Sequence, residues 1–258
     1  MVASDIQGLI LDLDGVLWRD NTPIGDLPAI FAEIRSRNWS VILATNNATL
    51  SADQYIEKLA NFGVYLERRQ IVNSSQATAS YLRQRHPNGG PVFVVGEQGL
   101  KIELAAQGFY ESDLEPLAVV VGLDRTITYE KLKKAGLLVR AGAPFIATNP
   151  DKTYPTPEGL VPGSGVFVGA VQAASDVDPV IIGKPEPEMY RLALHRMGLL
   201  PEQVLVVGDR LETDIAGAQK LKCRTALVLS GVSTLEQSQS WHPAPEYIAE
   251  NLSTLLGI

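Results

Sequence analysis

Short apolar, β-branched runs alternate with amphipathic stretches along the whole chain. This alternation is typical of parallel β-strands that are connected by crossover helices. The strands are expected at residues 6–12, 40–45, 91–96, 117–123, 143–148, 179–184, 204–209 and 225–230. The clearest helices are expected at residues 27–37, 51–61, 186–197 and 211–221. The sequence therefore predicts an α/β fold built on a parallel sheet.

One segment interrupts this alternation. Residues 149–165 read NPDKTYPTPEGLVPGSG and contain four prolines and three glycines, which argues against a regular helix or strand. Loops longer than about 12 to 15 residues inside compact domains are usually lids or binding loops. A connection between two domains is the alternative, and the sequence leaves both open.

The composition limits the class of protein. With 258 residues, 45% of them hydrophobic, the chain is long enough for one large or two modest domains. The single cysteine, Cys223, excludes an intramolecular disulfide and a zinc site with several cysteines, and it suits a reducing compartment. A cytoplasmic location is therefore the default expectation. The formal net charge of -7, with no basic run, disfavours nucleic acid as a partner. No apolar run reaches the roughly 18 to 20 residues that span a bilayer, and the N-terminus shows no signal-peptide pattern, so the protein is expected to be soluble and not exported.

Two aspartates follow the first expected strand. The segment DLDGVLW (residues 12–18) places Asp12 and Asp14 two positions apart, and Gly15 lets the chain turn away. If the backbone stays extended, both carboxylates face one side with their Cα atoms about 7 Å apart. Such a pair can address one phosphoryl group and a bound cation, with one carboxylate attacking and the other handling a proton. A polar turn or a calcium-type loop is the alternative for this segment alone.

Polar side chains follow two further expected strands. Thr45, Asn46 and Asn47 can donate hydrogen bonds to phosphate oxygens, or they can cap the next helix. Lys184 ends the apolar run PVIIGK. Near Asp12, this lysine would pair with the carboxylate and offset the charge of phosphoryl transfer. A lysine that snorkels to the surface is the alternative.

A fourth cluster follows the strand expected at 204–209. In VLVVGDRLETDI, Asp209 comes directly after the sheet and Asp214 lies early in the next helix. An aspartate in the first turn of a helix ordinarily compensates the helix dipole. Here Asp209 can instead coordinate magnesium together with Asp12, and Asp214 can hold a ligand or Lys184 in position.

All four clusters follow strands of a sheet that is expected to be parallel. Ligands bind at the carboxyl edge of open α/β sheets. Independent polar turns would have no reason to supply a nucleophile, a proton carrier, phosphate donors, a cation and metal ligands at one edge. The sequence therefore favours a phosphoryl-transfer site.

The four clusters resemble, in order, the motifs of the haloacid dehalogenase superfamily. DLDGVLW, ATNN, IIGKP and GDRLETDI are similar to the subgroup of NagD-type phosphatases, p-nitrophenylphosphatases, phosphoglycolate phosphatases and pyridoxal phosphate phosphatases. VVVGLDRTITYEKL and ATNPDKTYPTPEGLVPGSG resemble the large α/β cap of that subgroup. The resemblance implies a Rossmann-like core domain at residues 1–77 and 180–258, and an inserted cap domain at 78–179.

The resemblance also implies a role for each motif residue. Asp12 would be the nucleophile, and Asp14 the general acid and then the general base. Thr45 and Asn46 would bind phosphate, and Lys184 would stabilise charge. The expected reaction is hydrolysis of a phosphate monoester through an aspartyl phosphate.

The expected cofactor is Mg²⁺, held by Asp12, by the backbone carbonyl of Asp14 and by Asp209, with Asp214 in support. Asn47 and Tyr154 fall where some relatives contact the leaving group of the substrate. A large cap favours small phosphorylated metabolites as substrates. The sequence does not choose among sugar phosphates, phosphoglycolate, nucleoside monophosphates and pyridoxal phosphate. A homodimer through the cap is a further expectation.

Two other functions compete with this one. Gly163, Gly165 and Gly169 approximate the glycine pattern of a dinucleotide-binding oxidoreductase, but that string follows a proline-rich loop rather than a strand. A non-catalytic metabolite-binding protein of the same fold is the other alternative, because a fold does not establish an activity. The complete set of motif residues argues against it.

Overall fold

A computed structural model describes residues 2–3, 5–47, 50–156 and 158–258 of the chain. It contains two compact units. The terminal unit comprises Met1–Thr45, Ala52–Val72 and Lys184–Ile258, and the inserted unit comprises Asn46–Ser51 and Asn73–Gly183. The bounds expected from the sequence for a core and a cap domain stay a prediction.

The chain contains both strands and helices along its whole length. The strands are β1 (Gly8–Leu11), β2 (Trp18–Arg19), β3 (Thr22–Pro23), β4 (Ser40–Thr45), β5 (Ile71–Asn73), β6 (Gly90–Val95), β7 (Phe109–Glu111), β8 (Val119–Val121), β9 (Phe145–Ala147), β10 (Thr153–Thr156), β11 (Gly159–Pro162), β12 (Val180–Ile181), β13 (Val204–Gly208), β14 (Arg224–Val228) and β15 (Tyr247–Ala249). The α-helices are α1 (Leu27–Ser36), α2 (Ala52–Asn61), α3 (Ser74–Arg85), α4 (Gln98–Ala106), α5 (Tyr129–Arg140), α6 (Ser164–Ser175), α7 (Glu188–Met197), α8 (Ala216–Lys220), α9 (Leu235–Ser240) and α10 (Leu252–Leu256). Short 3₁₀ turns cover Arg68–Gln70 and Pro201–Gln203, and a π-helical turn covers Leu211–Ile215.

The terminal unit is built on a six-stranded sheet in the order β15-β14-β13-β1-β4-β5. Leu11 of β1 lies opposite Val207 of β13 and Leu43 of β4, and both pairings are parallel. Every residue of β1 and β13 is buried, as expected for parallel strands that are covered on both faces. Because β13, β1 and β4 are adjacent and parallel, their carboxyl ends meet at one edge of the sheet.

The inserted unit has its own parallel sheet, in the order β12-β9-β8-β6-β7. The helices α5 and α6 pack together and contribute to its apolar core. The buried members of this core are Val95, Val119, Val121, Ala135, Val139, Phe145, Ala147, Val168 and Val171. The two parallel sheets with their helices confirm the predicted α/β class. No helix in the described part of the chain has the length and apolar character needed to cross a membrane.

The prediction that residues 149–165 contain no regular helix or strand was wrong. The segment contains an antiparallel hairpin of β10 and β11, in which Thr153 lies opposite Pro162 and Tyr154 opposite Val161. Prolines disfavour strands because they cannot donate to the ladder. A two-stranded ribbon leaves one edge of each strand outside the ladder, so it tolerates proline better than a central strand does.

Two other expectations need correction. The strand before Lys184 was expected in the same sheet as the other motif strands, but β12 pairs with β9 in the sheet of the inserted unit. The helix expected at 211–221 starts as a π-helical turn and becomes α-helical only at Ala216. In that π turn the backbone N–H of Ile215 reaches the carbonyl of Arg210.

Candidate active site

A buried lysine links two aspartates at the carboxyl end of the terminal sheet. Asp12 follows β1 directly, and its backbone N–H donates to the carbonyl of Val207 at 2.9 Å. Nζ of Lys184 lies 2.5 Å from Oδ1 of Asp12 and 2.7 Å from Oδ1 of Asp214. It also donates to the carbonyl of Ala44 at 3.1 Å. Lys184 is only 3% exposed, so these three acceptors replace the water that the ammonium group loses.

The charges of this cluster influence one another strongly. Burial alone would lower the pKa of Lys184, but Asp12 and Asp214 outweigh burial and raise it well above its ordinary value. The two carboxylates therefore favour the charged form of Lys184. Burial raises the pKa of Asp12, and repulsion from Asp214 and Asp209 adds to this while Lys184 opposes it. Burial, and then repulsion from Asp214, raises the pKa of Asp209 to about 6.

The same cluster has the donor set of a divalent cation site. Asp12, Asp209 and Asp214 each offer a carboxylate oxygen, and these oxygens lie within 4.8 Å of one another. Three carboxylates face a single lysine, which leaves an excess of negative charge in a buried place. Carboxylate oxygens are the ligands that Mg²⁺ and Ca²⁺ prefer. The residues therefore fit a hard divalent cation.

Two glycines leave room for the carboxylate of Asp209. A Cβ atom at Gly15 or at Gly231 would overlap Oδ2 of Asp209. The same oxygen accepts a hydrogen bond from the backbone N–H of Val232 at 2.8 Å. The loop after β14 therefore fixes the orientation of Asp209. This loop is not among the residues expected from the sequence, although Gly231 in LSGVS follows a strand end just as the four motifs do.

Asp14 is directed to a different partner from Asp12. Its Oδ1 accepts a hydrogen bond from Nε1 of Trp18 at 3.0 Å. Burial raises the pKa of Asp14, and the hydrogen bond from Trp18 is the largest of the effects that oppose this rise. Oδ1 of Asp14 therefore faces an indole N–H.

The residues after β4 divide between the two units. Thr45 ends β4 in the terminal unit, is buried, and is hydrogen-bonded to the side chain of Tyr55. Asn46 and Asn47 belong to the inserted unit. Nδ2 of Asn46 donates to Oδ2 of Asp151 at 3.0 Å. Asn47 is half-buried.

Tyr154 lies on β10 in the inserted unit and is half-buried. It is hydrogen-bonded to the side chain of Arg125. The guanidinium of Arg125 also donates to both carboxylate oxygens of Glu97, at 2.6 and 2.8 Å. Tyr154 is therefore held beside a fixed arginine.

Beneath the site, Tyr190 of α7 is buried and its hydroxyl donates to the backbone carbonyl of Asp214 at 3.1 Å. This residue is not expected from the sequence, because a tyrosine in the apolar stripe of a helix resembles any other packed side chain.

The comparisons with known proteins agree with this geometry. Residues 9–110 match the family described as haloacid dehalogenase-like hydrolase, and residues 181–255 match a second family described as HAD-hydrolase-like. An acid sugar phosphatase from Staphylococcus epidermidis is 35% identical over 251 residues, which cover 97% of this chain and 96% of the relative.

Two solved structures are similar over almost the whole chain. NagD from Escherichia coli superposes with a TM-score of 0.90 at 33% identity, covering 96% of this chain and 97% of that one. A glycerol phosphate phosphatase from Mycobacterium tuberculosis, solved in complex with magnesium, has a TM-score of 0.90 at 35% identity. That match covers 97% of this chain and 76% of the mycobacterial one.

Proposed function

This chain belongs to the haloacid dehalogenase superfamily, and we propose that it hydrolyses phosphate monoesters of small metabolites with Asp12 as the nucleophile. Its NagD-like relatives establish that it is a phosphatase of this superfamily. The observation that carries the assignment of Asp12 is the buried Lys184, which is bonded to Asp12 and Asp214 at the edge of the sheet where parallel α/β folds bind ligands.

In the first step, an oxygen of Asp12 attacks the phosphorus atom, and the bond from phosphorus to the ester oxygen breaks. Asp14 gives its proton to the departing alkoxide, which leaves as an alcohol. The product on the protein is an aspartyl phosphate at Asp12. Lys184 stays charged and offsets the negative charge that collects around the phosphoryl group.

In the second step, Asp14 is ionised and takes a proton from a water molecule. The resulting hydroxide attacks the phosphorus, the bond from phosphorus to the Asp12 oxygen breaks, and inorganic phosphate leaves. Asp14 regains the proton that it lost in the first step, so the proton balance closes over one turnover.

Mg²⁺ is the proposed cofactor, held by Asp12, by the backbone carbonyl of Asp14 and by Asp209. When bound, the ion would supply positive charge that reduces repulsion between Asp12 and the phosphoryl group. Both oxygens of Asp214 accept hydrogen bonds, Oδ1 from Lys184 and Oδ2 from the backbone N–H of Arg210 at 3.1 Å. We therefore assign Asp214 to orienting Lys184 rather than to direct ligation.

The proposed substrates are phosphates of sugars or small polyols. The relatives named above support this class, since one is called an acid sugar phosphatase and another a glycerol phosphate phosphatase. Thr45 and Asn46 would bind the phosphate, and Asn47 and Tyr154 would contact the leaving group. Dimerisation through the inserted unit and a cytoplasmic location are proposed as well. The location rests on the single, buried Cys223, which suits a reducing compartment.

The test is turnover of p-nitrophenyl phosphate and a panel of sugar and glycerol phosphates with MgCl₂. Asp12→Asn should lower kcat by roughly 10³-fold or more, because a neutral amide cannot attack phosphorus. Asp53→Asn, at an exposed position on α2, should keep wild-type turnover. Substantial residual turnover in Asp12→Asn would reject the assignment of the nucleophile. A wild-type protein that turns over none of these esters would favour a non-catalytic binding protein.

A further inference from the structure

Trp18 is a buried tryptophan whose indole N–H donates a hydrogen bond to Asp14. It is only 1% exposed, and Nε1 donates to Oδ1 of Asp14 at 3.0 Å. The intervening turn brings the two side chains together, since the N–H of Gly15 donates to the carbonyl of Trp18 at 2.7 Å and the N–H of Leu17 to that of Leu13 at 2.8 Å. The indole and the carboxylate are therefore held by local backbone geometry as well as by their own hydrogen bond.

Lys58 of α2 and Phe62, which directly follows that helix, contact the indole ring of Trp18. Nζ of Lys58 lies 4.4 Å from the centroid of the Trp18 ring, and it also donates to the carbonyl of Asp20 at 2.7 Å. The ring of Phe62 packs against the indole with 5.9 Å between the centroids and 42° between the planes. A cation over the face and an aromatic neighbour both restrict ring rotation. The direction of the indole N–H is consequently fixed.

We propose that Trp18 is a positioning residue that directs the acidic proton of Asp14 to the leaving group. An indole N–H can only donate, so Oδ1 of Asp14 accepts. The carbonyl oxygen of a neutral carboxylic acid accepts more strongly than its hydroxyl oxygen, so this hydrogen bond favours the proton on Oδ2. The hydrogen bond thereby selects which oxygen carries the proton in the first step. This inference rests on the proposed function, because it assumes that Asp14 is the general acid.

In this role, Trp18 would determine which leaving groups the enzyme can release efficiently. An alkoxide leaves only if it receives a proton, whereas p-nitrophenolate is stable as an anion and needs little help. Loss of proton delivery should therefore penalise alkyl phosphates and largely spare p-nitrophenyl phosphate. Trp18 would adapt the site to the alcohol esters that metabolism supplies.

The experiment compares kcat/KM of wild type and Trp18→Phe on p-nitrophenyl phosphate, phenyl phosphate and glycerol phosphate. This parameter covers the steps up to phosphoryl transfer and excludes hydrolysis of the aspartyl phosphate, which all three esters share. We expect a loss of about 10- to 100-fold on glycerol phosphate, an intermediate loss on phenyl phosphate, and less than about 3-fold on p-nitrophenyl phosphate. An equal loss on all three esters, or no loss, would overturn the role of Trp18.

Three further proteins separate proton delivery from packing. Benzothienylalanine at position 18, introduced by amber suppression, keeps the ring shape and removes only the N–H, so it should reproduce the selectivity of Trp18→Phe. Phe62→Leu keeps the donor but removes one of the two contacts that orient the ring, so it should shift the selectivity in the same direction as Trp18→Phe and by less. Trp241→Phe removes another indole donor, which bonds Oε1 of Gln219 at 3.3 Å, and should leave all three values unchanged.

The controls distinguish a failure of the proposed function from a failure of the role of Trp18. If the wild-type protein hydrolyses no ester, the proposed function fails. If the wild type is active and Asp12→Asn is not, but the benzothienylalanine protein shows the wild-type ratio between glycerol phosphate and p-nitrophenyl phosphate, only the role of Trp18 fails. Because the benzothienylalanine protein retains the buried ring, it gives this answer even if Trp18→Phe does not fold.

Discussion

At the scale of single residues, Lys184 is the buried cation on which the charge balance of the candidate site depends. A buried ammonium group between two carboxylates is stable only while all three charges are present, since removing one leaves the others buried without compensation. The arrangement is therefore weak evidence for stability as such, and stronger evidence for a site that must hold positive charge.

Lys184→Met should lower the free energy of unfolding by about 3 kcal/mol or more and abolish turnover, because Asp12 and Asp214 then repel each other in a buried place. Adding Asp214→Asn should recover part of the stability without restoring activity. Urea denaturation of the single and double variants measures both effects. Lys220→Met, which removes an exposed pair with Glu186, is the matched control and should change stability little. A double variant no more stable than Lys184→Met would contradict the charge argument.

A second prediction concerns the space around Asp209. Gly231→Ala places a methyl group where the carboxylate now lies, so Asp209 must rotate or shift. We expect the Mg²⁺ concentration for half-maximal activation to rise by roughly 10-fold or more, since residues that orient metal ligands have effects of that size. Gly169→Ala on α6 is the control, because its Cβ would meet no atom within 4 Å. An unchanged activation curve for Gly231→Ala would show that Asp209 does not need this orientation.

At the scale of elements, one buried carboxylate links the loop before α5 to the first turn of that helix. Asp124 is 1% exposed, accepts from the backbone N–H and hydroxyl of Thr126, and pairs with Nζ of Lys131 at 2.6 Å. Burial raises the pKa of Asp124, but the hydrogen bonds from Lys131 and Thr126 outweigh burial, so the pKa lies below its ordinary value. The folded state thus favours the ionised form.

Asp124→Asn should lower the free energy of unfolding of the inserted unit by about 1 to 3 kcal/mol at pH 7. A depressed pKa in the folded state gives stability that is present above the ordinary pKa of about 4 and is lost as the pH falls through the folded value. The difference in the free energy of unfolding between wild type and variant should therefore become smaller below about pH 4. Denaturation curves at several pH values measure this difference. Asp113→Asn removes an exposed pair with Lys134 and should have a smaller effect. A difference that is constant with pH would refute the ionic explanation.

At the scale of the whole molecule, a divalent cation should act on the stability of the terminal unit. The cluster of Asp12, Asp209 and Asp214 carries more negative charge than Lys184 balances, so a cation that binds only the folded state stabilises it by mass action. At 100 times the dissociation constant this amounts to about 2.7 kcal/mol. That corresponds to a rise in Tm of roughly 5 to 10 °C for a protein of this size.

Calorimetry of the chelator-treated protein with and without MgCl₂ tests this prediction. Asp209→Asn should abolish the rise in Tm, while its own Tm without metal should equal or exceed that of wild type, because one repelling charge is gone. A wild-type Tm that does not respond to Mg²⁺, together with activity that survives chelation, would contradict a metal site at these carboxylates.

The sequence by itself determined the α/β class and the identity of the residues at the sheet edge. Buried parallel strands are read from short apolar runs, and the polar residues that end such runs must leave the sheet at its carboxyl edge. Asp12 and Asp209 could be placed together on this basis, because β1 and β13 are both recognisable strands of one sheet. The motifs of the superfamily then supplied the expected roles.

Only the tertiary structure decided how Lys184 reaches Asp12, since β12 belongs to the other sheet and the two residues lie 172 positions apart. Likewise, only the fold placed Gly231 and Val232 against Asp209, Tyr190 beneath Asp214, and β10 beside β11. Periodicity in a sequence reports which face of an element is buried. It does not report which distant element covers that face, because this depends on contacts between residues that are far apart along the chain.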